Sequence, residues 1–155
     1  MKLESVTSEE FDRIIKLYIA KRNKDLQKII PHWAVFENKN KILNPELKTP
    51  SEYEFINVEL KILIQKAEFY GVQMNVLFTN QKLNDVRVAK ILYNWDNNFF
   101  LNPPIVGICN YNLSKLSLSD GRHRTKTAYF LGVKFIPIAV QKTDLKKVQE
   151  ILSTK

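Results

Sequence analysis

Apolar residues recur at helical intervals near the start of the chain. Thr7-Ser8-Glu9-Glu10 has the spacing of a capping box, in which a hydroxyl and a carboxylate satisfy backbone N–H groups at a helix start. From Phe11 to Ile30 the apolar positions then follow one another every three or four residues. These features predict a first helix that ends before Pro31, because proline cannot continue a helix.

A polar stretch separates this helix from a second apolar pattern. Residues 37 to 48 are rich in Asn and Lys, which predicts a surface loop. A second helix is predicted from Thr49 to Gly71, because Thr49 can cap it, Pro50 suits its first turn and Gly71 is typical of the residue after a helix end. Its apolar face would consist of Tyr53, Ile56, Leu60, Leu63, Ile64, Ala67 and Tyr70.

After residue 71 the apolar positions come in short β-branched or aromatic runs, which are typical of strands. Strands are predicted at 72–78, 105–109, 115–118 and 136–140, and the middle two should form a hairpin. Helices are predicted from Asn84, as its cap, to Trp95, after Gly121, and after Thr143 as the cap of the last helix.

This order of elements predicts an α+β fold, or loosely α/β, with a small mixed β-sheet and helices, preceded by an N-terminal helical extension. The predicted division is 1–70 for a helical extension packed on the core and 71–155 for the sheet-containing domain.

The composition excludes several classes of protein. The sequence has no run of about 18 apolar residues, so a membrane span is not expected, and the acidic start of the chain does not resemble a secretory signal. A single cysteine, Cys109, cannot form an internal disulfide and suits the cytoplasm. Because the only histidines are His32 and His123, no metal site built from His and Cys is predicted.

The net charge of +8 is unevenly distributed along the chain. Residues 1–70 contain 12 Lys/Arg and 11 Asp/Glu, whereas residues 71–155 contain 12 Lys/Arg and only 5 Asp/Glu. A basic surface attracts phosphates over long distances, so this asymmetry favours a nucleotide or a nucleic acid as partner. Alternatively, the excess of basic residues only keeps the protein soluble.

The residues from Asp120 to Arg124 predict an anion site. Gly121 permits a tight turn between a strand and a helix, and the helix start presents N–H groups with partial positive charge. Arg122, His123 and Arg124 add side-chain donors at the same place, which suits a phosphate. Alternatively, Asp120 is an ordinary helix cap followed by solvated basic residues, and His123 is structural.

These residues carry a resemblance to a known family. Pro103-Pro104-Ile105-Val106, Asp120-Gly121-Arg122-His123-Arg124, Ala128, Leu131-Gly132 and Ile136-Pro137 resemble in order and spacing the core signature of the ParB/sulfiredoxin superfamily. The resemblance runs from about Met74 to Val140. It implies that His123 and Arg124 contact nucleotide phosphates, and that Arg87 stands where sulfiredoxins carry a phosphate-contacting lysine.

The chain also departs from both branches of that superfamily. The sulfiredoxin cysteine is replaced by Arg122, which has no thiolate, so reduction of sulfinic acids is not expected. Against the ParB pattern, Gly121, Arg124, Lys126 and Ala128 are compatible in kind, but Arg122 and His123 replace a glutamate and an arginine. CTP hydrolysis of the ParB type is therefore in doubt, and no helix-turn-helix domain is expected after residue 155. Cys109 is expected to be a core residue.

Two classes of function remain open on the sequence. The first is an NTP-dependent hydrolase or phosphotransferase, or a ParB-like nuclease. Its catalytic groups would be Asp120 and His123, and its cofactors would be ATP or CTP and Mg²⁺. The phosphate ligands would be Arg87, Gly121, Arg122, His123, Arg124 and Lys126. The alternative is a non-catalytic DNA- or RNA-binding module, or an adaptor of a phage or plasmid. In such a module bases would stack on exposed aromatic residues, for which the sequence offers Tyr93, Trp95, Phe99, Phe100 and Tyr111, although aromatic residues are more often core.

Overall fold

The computed structural model describes residues 7–35 and 52–154. Within these ranges the chain forms a five-stranded mixed sheet and six helices. The elements in chain order are α1 Ser8–Ala20, α2 Asn23–Leu26, β1 Tyr53–Glu59, α3 Leu60–Lys66, β2 Ala67–Glu68, α4 Lys82–Asp96, β3 Ile105–Ile108, β4 Leu116–Asp120, α5 Arg122–Phe130, β5 Phe135–Gln141 and α6 Leu145–Ser153. The predicted α+β class is confirmed, and a helix precedes the sheet.

The strands lie in the order β1-β5-β3-β4-β2. β1 pairs with β5 and β3 pairs with β4 in antiparallel fashion, whereas β3–β5 and β2–β4 are parallel. The predicted hairpin of 105–109 and 115–118 corresponds to β3 and β4. β5 lies inside the sheet, and its apolar residues Ile136, Ile138 and Val140 are fully buried, as expected for a strand with neighbours on both sides.

The first helix begins where the capping box predicts. The Thr7 hydroxyl accepts a hydrogen bond from the Glu10 N–H at 3.2 Å. The helix ends at Ala20, so the prediction of one helix reaching Ile30 is wrong. Lys21 and the next residue are extended, and the chain then makes the short helix α2, which turns Leu26 into the core. An uninterrupted helix would give this side chain a different direction.

The predicted helix over 49–71 is also wrong where the structure describes it. Residues Tyr53–Glu59 form β1, which pairs with β5 over its whole length, and only Leu60–Lys66 is helical. The aromatic and β-branched residues of β1 favour a strand, and their apolar spacing does not distinguish the two structures once a sheet edge is available. The sheet therefore includes residues on both sides of position 70. The predicted helix start at Thr49 and the predicted loop at 37–48 lie outside the described residues.

The predicted strand at 72–78 forms turns and irregular structure instead. Side chains of the first turn of α4 bind the backbone here: the Asn84 amide donates to the Leu77 carbonyl at 3.0 Å, and the Asp85 carboxylate accepts from the Thr79 N–H at 2.8 Å. The outer edge of β4 is already occupied by β2. Asn84 is consequently not the cap of α4, because the helix begins two residues earlier, at Lys82.

Two smaller predictions are settled by the same elements. α6 is preceded by Asp144 at its cap position, so Thr143 is not the cap. Cys109 is fully buried, as predicted for a core residue. In the ranges that the structure describes, none of the helices is long and apolar enough to cross a membrane.

Candidate functional site

The turn between β4 and α5 can only be made by glycine. Gly121 has φ +89° and ψ 18°, in the left-handed region that residues with a Cβ rarely adopt. A Cβ at this position would lie 2.7 Å from the Pro104 Cα and 2.9 Å from the Pro104 Cβ. The turn is therefore packed directly against the segment that leads into β3.

The start of α5 has a glycine at its cap position. Gly121 is buried and has no side chain that could cap the helix, and the first turn, from Arg122 to Thr125, contains no acidic residue. The Thr125 N–H and hydroxyl both donate to the Gly121 carbonyl, at 2.9 and 2.8 Å, which closes the first turn. The N–H groups before Thr125 belong to the part of a helix that lacks intrahelical acceptors, and they carry the positive end of the helix dipole.

Arg124 and Asp120 form an ion pair that holds the turn together. The Arg124 Nη2 lies 2.5 Å from the Asp120 Oδ2, and the Arg124 Nε donates to the Asn102 carbonyl at 2.8 Å. Both side chains are mostly buried. Arg124 therefore joins the end of β4, the start of α5 and the segment before β3, and its charge is matched by Asp120.

Lys126 lies beneath the turn rather than on its surface. Its side chain is fully buried, and its Nζ donates to the Asn84 Oδ1 at 2.8 Å. The Asn84 amide in turn donates to the Asp85 Oδ1 at 2.9 Å. Burial lowers the pKa of Lys126, and the nearby Asp85 carboxylate opposes that effect. Sequence reasoning missed this network, because Asn84 and Asp85 look like ordinary residues of a helix start.

His123 is a half-buried residue of the first turn of α5 that is affected by several basic residues. Burial, followed by the charges of Arg87, Lys126, Arg122 and Arg124, lowers the pKa of His123 to about 4. The imidazole is therefore neutral at pH 7. The four cations that act on it are among the residues that the sequence predicted as phosphate ligands, and they belong to α4 and α5. Burial is the largest cause of the lowered pKa, and the four positive charges add to it.

These charged groups form two layers with different partners. The inner layer consists of Asp85, Asp120, Arg124 and Lys126, in which each cation has a carboxylate in contact or one amide group away. The outer layer consists of Arg87, Arg122 and His123. Within residues 7–35 and 52–154, neither guanidinium of the outer layer has a carboxylate at ion-pair distance. Two positive charges, one of them in the first turn of α5, are thus left without an ion-pair partner in these ranges.

Arg122 also connects the turn to the edge of the sheet formed by β2, the strand next to β4. Its Nη1 donates to the Tyr70 carbonyl at 2.5 Å, just beyond β2. This contact orients the guanidinium without neutralising it, because a carbonyl carries only a partial negative charge. Arg87 is exposed on α4. The two guanidinium groups of the outer layer therefore reach the site from different elements.

Two other features of the structure lie apart from this chemistry. Among the described residues no group of three or more His, Cys, Asp or Glu side chains is placed to hold a metal ion. A cavity of about 280 Å³ lies between β1, α3 and α6, lined by residues such as Ile56, Ile62 and Leu152. Its lining contains no cation and no residue of the β4–α5 turn.

Comparison with known proteins identifies no relative of the chain. No protein-family model matches the chain, and no curated protein or solved structure matches it. The relationship to the ParB/sulfiredoxin superfamily therefore stays a prediction that depends on the residues of the turn and their order.

Proposed function

We propose that this protein binds the phosphate group of a nucleotide or of a nucleic acid at the β4–α5 turn. One observation carries the proposal: the charges of four cationic side chains act on His123 in the first turn of α5, and two of these cations have no carboxylate at ion-pair distance in the described part of the chain. Two positive charges without a carboxylate partner match a phosphate dianion, and a helix start supplies N–H donors in addition.

Each residue of the turn has its own part in this binding mode. Arg87 and Arg122 contribute the charge, and His123 contributes one ring N–H, since a neutral imidazole donates from one nitrogen. Gly121 lets the turn pack against Pro104 and so fixes the start of α5. Two donors of Arg124 and one of Lys126 bind protein acceptors, so these two residues hold the turn and add to its positive field.

Binding is favoured over catalysis by the state of the two proposed catalytic groups. The Asp120 carboxylate is paired with Arg124, whose Nη2 lies 2.5 Å from the Asp120 Oδ2, so this oxygen serves the turn itself. An imidazole with a pKa of about 4 is a weak base at neutral pH. We therefore infer a binding protein rather than an NTP-dependent hydrolase, phosphotransferase or nuclease, with ATP, CTP and their Mg²⁺ complexes among the ligands to be tested.

Membership of the ParB/sulfiredoxin superfamily is proposed on the same basis. The order hairpin, glycine turn, helix and buried strand, from β3 to β5, supports it, as does the position of Arg87 beside His123. The replacement of the sulfiredoxin cysteine by Arg122 supports phosphate binding without thiol chemistry.

The proposal can be tested with one charge removed from the outer layer and one removed elsewhere. Calorimetry would compare the wild type with Arg87→Gln and with Arg13→Gln, for inorganic phosphate, ATP, CTP and short oligonucleotides at low salt. Arg13 is a matched control because it is an exposed arginine on α1 whose ion pair with a described residue is a long 3.9 Å contact with Glu10.

We expect Arg87→Gln to weaken binding by about 1.5–3 kcal/mol, the scale of a lost charged hydrogen bond. Arg13→Gln should leave the affinity within a factor of about two, because surface charges at a distance are screened by salt. The proposal fails if none of these ligands binds, or if the two variants lose the same affinity.

A further inference from the structure

Two exposed tyrosines lie against each other beside the candidate phosphate site. Tyr70, which follows β2, is 56% exposed, and Tyr111, in the β3–β4 hairpin, is 61% exposed. Their ring centroids are 5.6 Å apart and their planes are inclined by 64°. The sequence placed Tyr70 on the apolar face of a helix, but the structure puts it at the surface. Of the aromatic residues that the sequence offered for stacking, Tyr93 and Trp95 are core.

Arg122 joins this tyrosine pair to the phosphate site. The guanidinium donates to the Tyr70 carbonyl, while the Arg122 backbone belongs to the first turn of α5. The Tyr70 backbone therefore lies within the length of one arginine side chain of the start of α5. Lys115 of the same hairpin donates to the Gln65 carbonyl at 3.1 Å and adds a further positive charge on this side of the sheet.

We propose that Tyr70 and Tyr111 form a base-stacking platform, and that the protein binds single-stranded nucleic acid across this platform and the outer layer. Aromatic rings stack bases regardless of sequence, and neighbouring cations hold the backbone phosphates. This inference rests on the proposed phosphate site and adds the class of ligand. Cations beside exposed rings are complementary to a polyanion whose bases are unpaired.

The exposure of the rings favours a strand over a free nucleotide or a duplex. Pockets for small ligands enclose most of the ligand surface, whereas these two rings lie open on the protein. The bases of a duplex are stacked on each other and are not available to a tyrosine face. A single strand has free base faces, and it places the next phosphate within reach of further cations.

The platform can be tested by removing one ring. Fluorescence anisotropy would measure binding of labelled oligothymidylate and oligouridylate of about twelve nucleotides, a length that covers typical single-strand sites. The variants are Tyr111→Ser, Tyr70→Ser and, as control, Tyr129→Ser, an exposed tyrosine on α5 that contacts Phe130. Circular dichroism would verify that each variant is folded, and inorganic phosphate would be titrated into each one.

We expect Tyr111→Ser and Tyr70→Ser to lower the affinity for the oligonucleotides about 5- to 100-fold, the range for one lost stacking partner. Phosphate binding should be unchanged, and Tyr129→Ser should bind like the wild type. The DNA and RNA oligonucleotides show which of the two sugars is preferred.

Several outcomes would overturn the inference. Equal effects of the three tyrosine variants would contradict a stacking role of Tyr70 and Tyr111, even if phosphate still binds through Arg87. A mononucleotide or a duplex that binds as tightly as the single strand would contradict the proposal that the ligand is single-stranded. If neither phosphate nor any oligonucleotide binds the wild type, the proposed function itself fails, which is a distinct result.

Discussion

The inner and outer layers of the β4–α5 turn contain the same kinds of cation but differ in what surrounds them. In the inner layer Arg124 contacts Asp120, and Lys126 reaches Asp85 through Asn84. In the outer layer Arg87 and Arg122 have no such carboxylate partner among the described residues. The inner layer is thus expected to determine stability, and the outer layer is expected to determine binding. Substitutions that affect one property without the other would sharpen this distinction.

The largest effect on stability is expected from Gly121→Ala. The new Cβ would approach the Pro104 Cα to 2.7 Å at a φ of +89°. Strain of the backbone and the close contact together should lower the free energy of unfolding by about 2–5 kcal/mol. Urea denaturation measures this change.

Gly132→Ala is the matched control for that substitution. Gly132 also has a positive φ, of +80°, but a Cβ there would meet no described atom within 4 Å. It should lose only the conformational part, about 1–2 kcal/mol. Equal losses in the two variants would show that contact with Pro104 does not constrain the turn.

Lys126→Met tests whether the buried lysine stabilises the inner layer. Methionine fills a similar volume but leaves the Asn84 Oδ1 without its donor and removes the charge that faces Asp85. We expect a loss of about 2–3 kcal/mol in the free energy of unfolding, the cost of an unsatisfied buried group near a carboxylate. A variant as stable as the wild type would contradict the assignment of Lys126 to a structural network.

A smaller effect is expected from acid titration of His123. The folded protein holds its pKa near 4, below the ordinary value of 6.5, so the unfolded chain binds the proton more tightly. The contribution to stability is therefore complete above pH 6.5 and is lost as the pH falls towards 4. Between pH 7 and pH 5 we expect a loss of about 1 kcal/mol, after allowing for solvent screening of a partly exposed ring.

His123→Gln separates this titration from that of other groups. Thermal melts of the two proteins at pH 7 and pH 5 would be compared. The glutamine variant should lose less stability than the wild type over that interval, because its side chain takes up no proton. Identical losses would mean that the imidazole is not held neutral by its surroundings.

Local features of the site were predictable from the sequence, and distant pairings were not. Gly121 and the basic residues after it are neighbours in the chain, so the turn and the helix start could be inferred directly. The burial of Lys126 depends on Asn84, which lies 42 positions away. Nothing in the residues around Lys126 distinguishes it from a surface lysine of the same basic cluster.

The same difference between local features and distant pairings holds for the fold. β5 was predicted correctly because its apolar run is short and bounded by turn signals. β1 was predicted as a helix because its apolar spacing also fits a helix, and its strand structure depends on pairing with β5, for example Tyr53 opposite Gln141. The exposure of Tyr70 was missed because the same segment was predicted as a helix, so its contact with Tyr111 was not foreseeable.

NMR of the two histidine rings tests the central claim most directly. His123 lies within the outer layer, whereas His32 packs against Phe100 and serves as an internal reference. During titration with inorganic phosphate or an oligonucleotide, we expect the His123 signals to shift with saturation and its pKa to rise from about 4, because a bound anion favours the imidazolium. The His32 signals should stay unchanged. Saturating ligand that leaves the His123 signals and pKa unaltered would contradict a phosphate site at the β4–α5 turn.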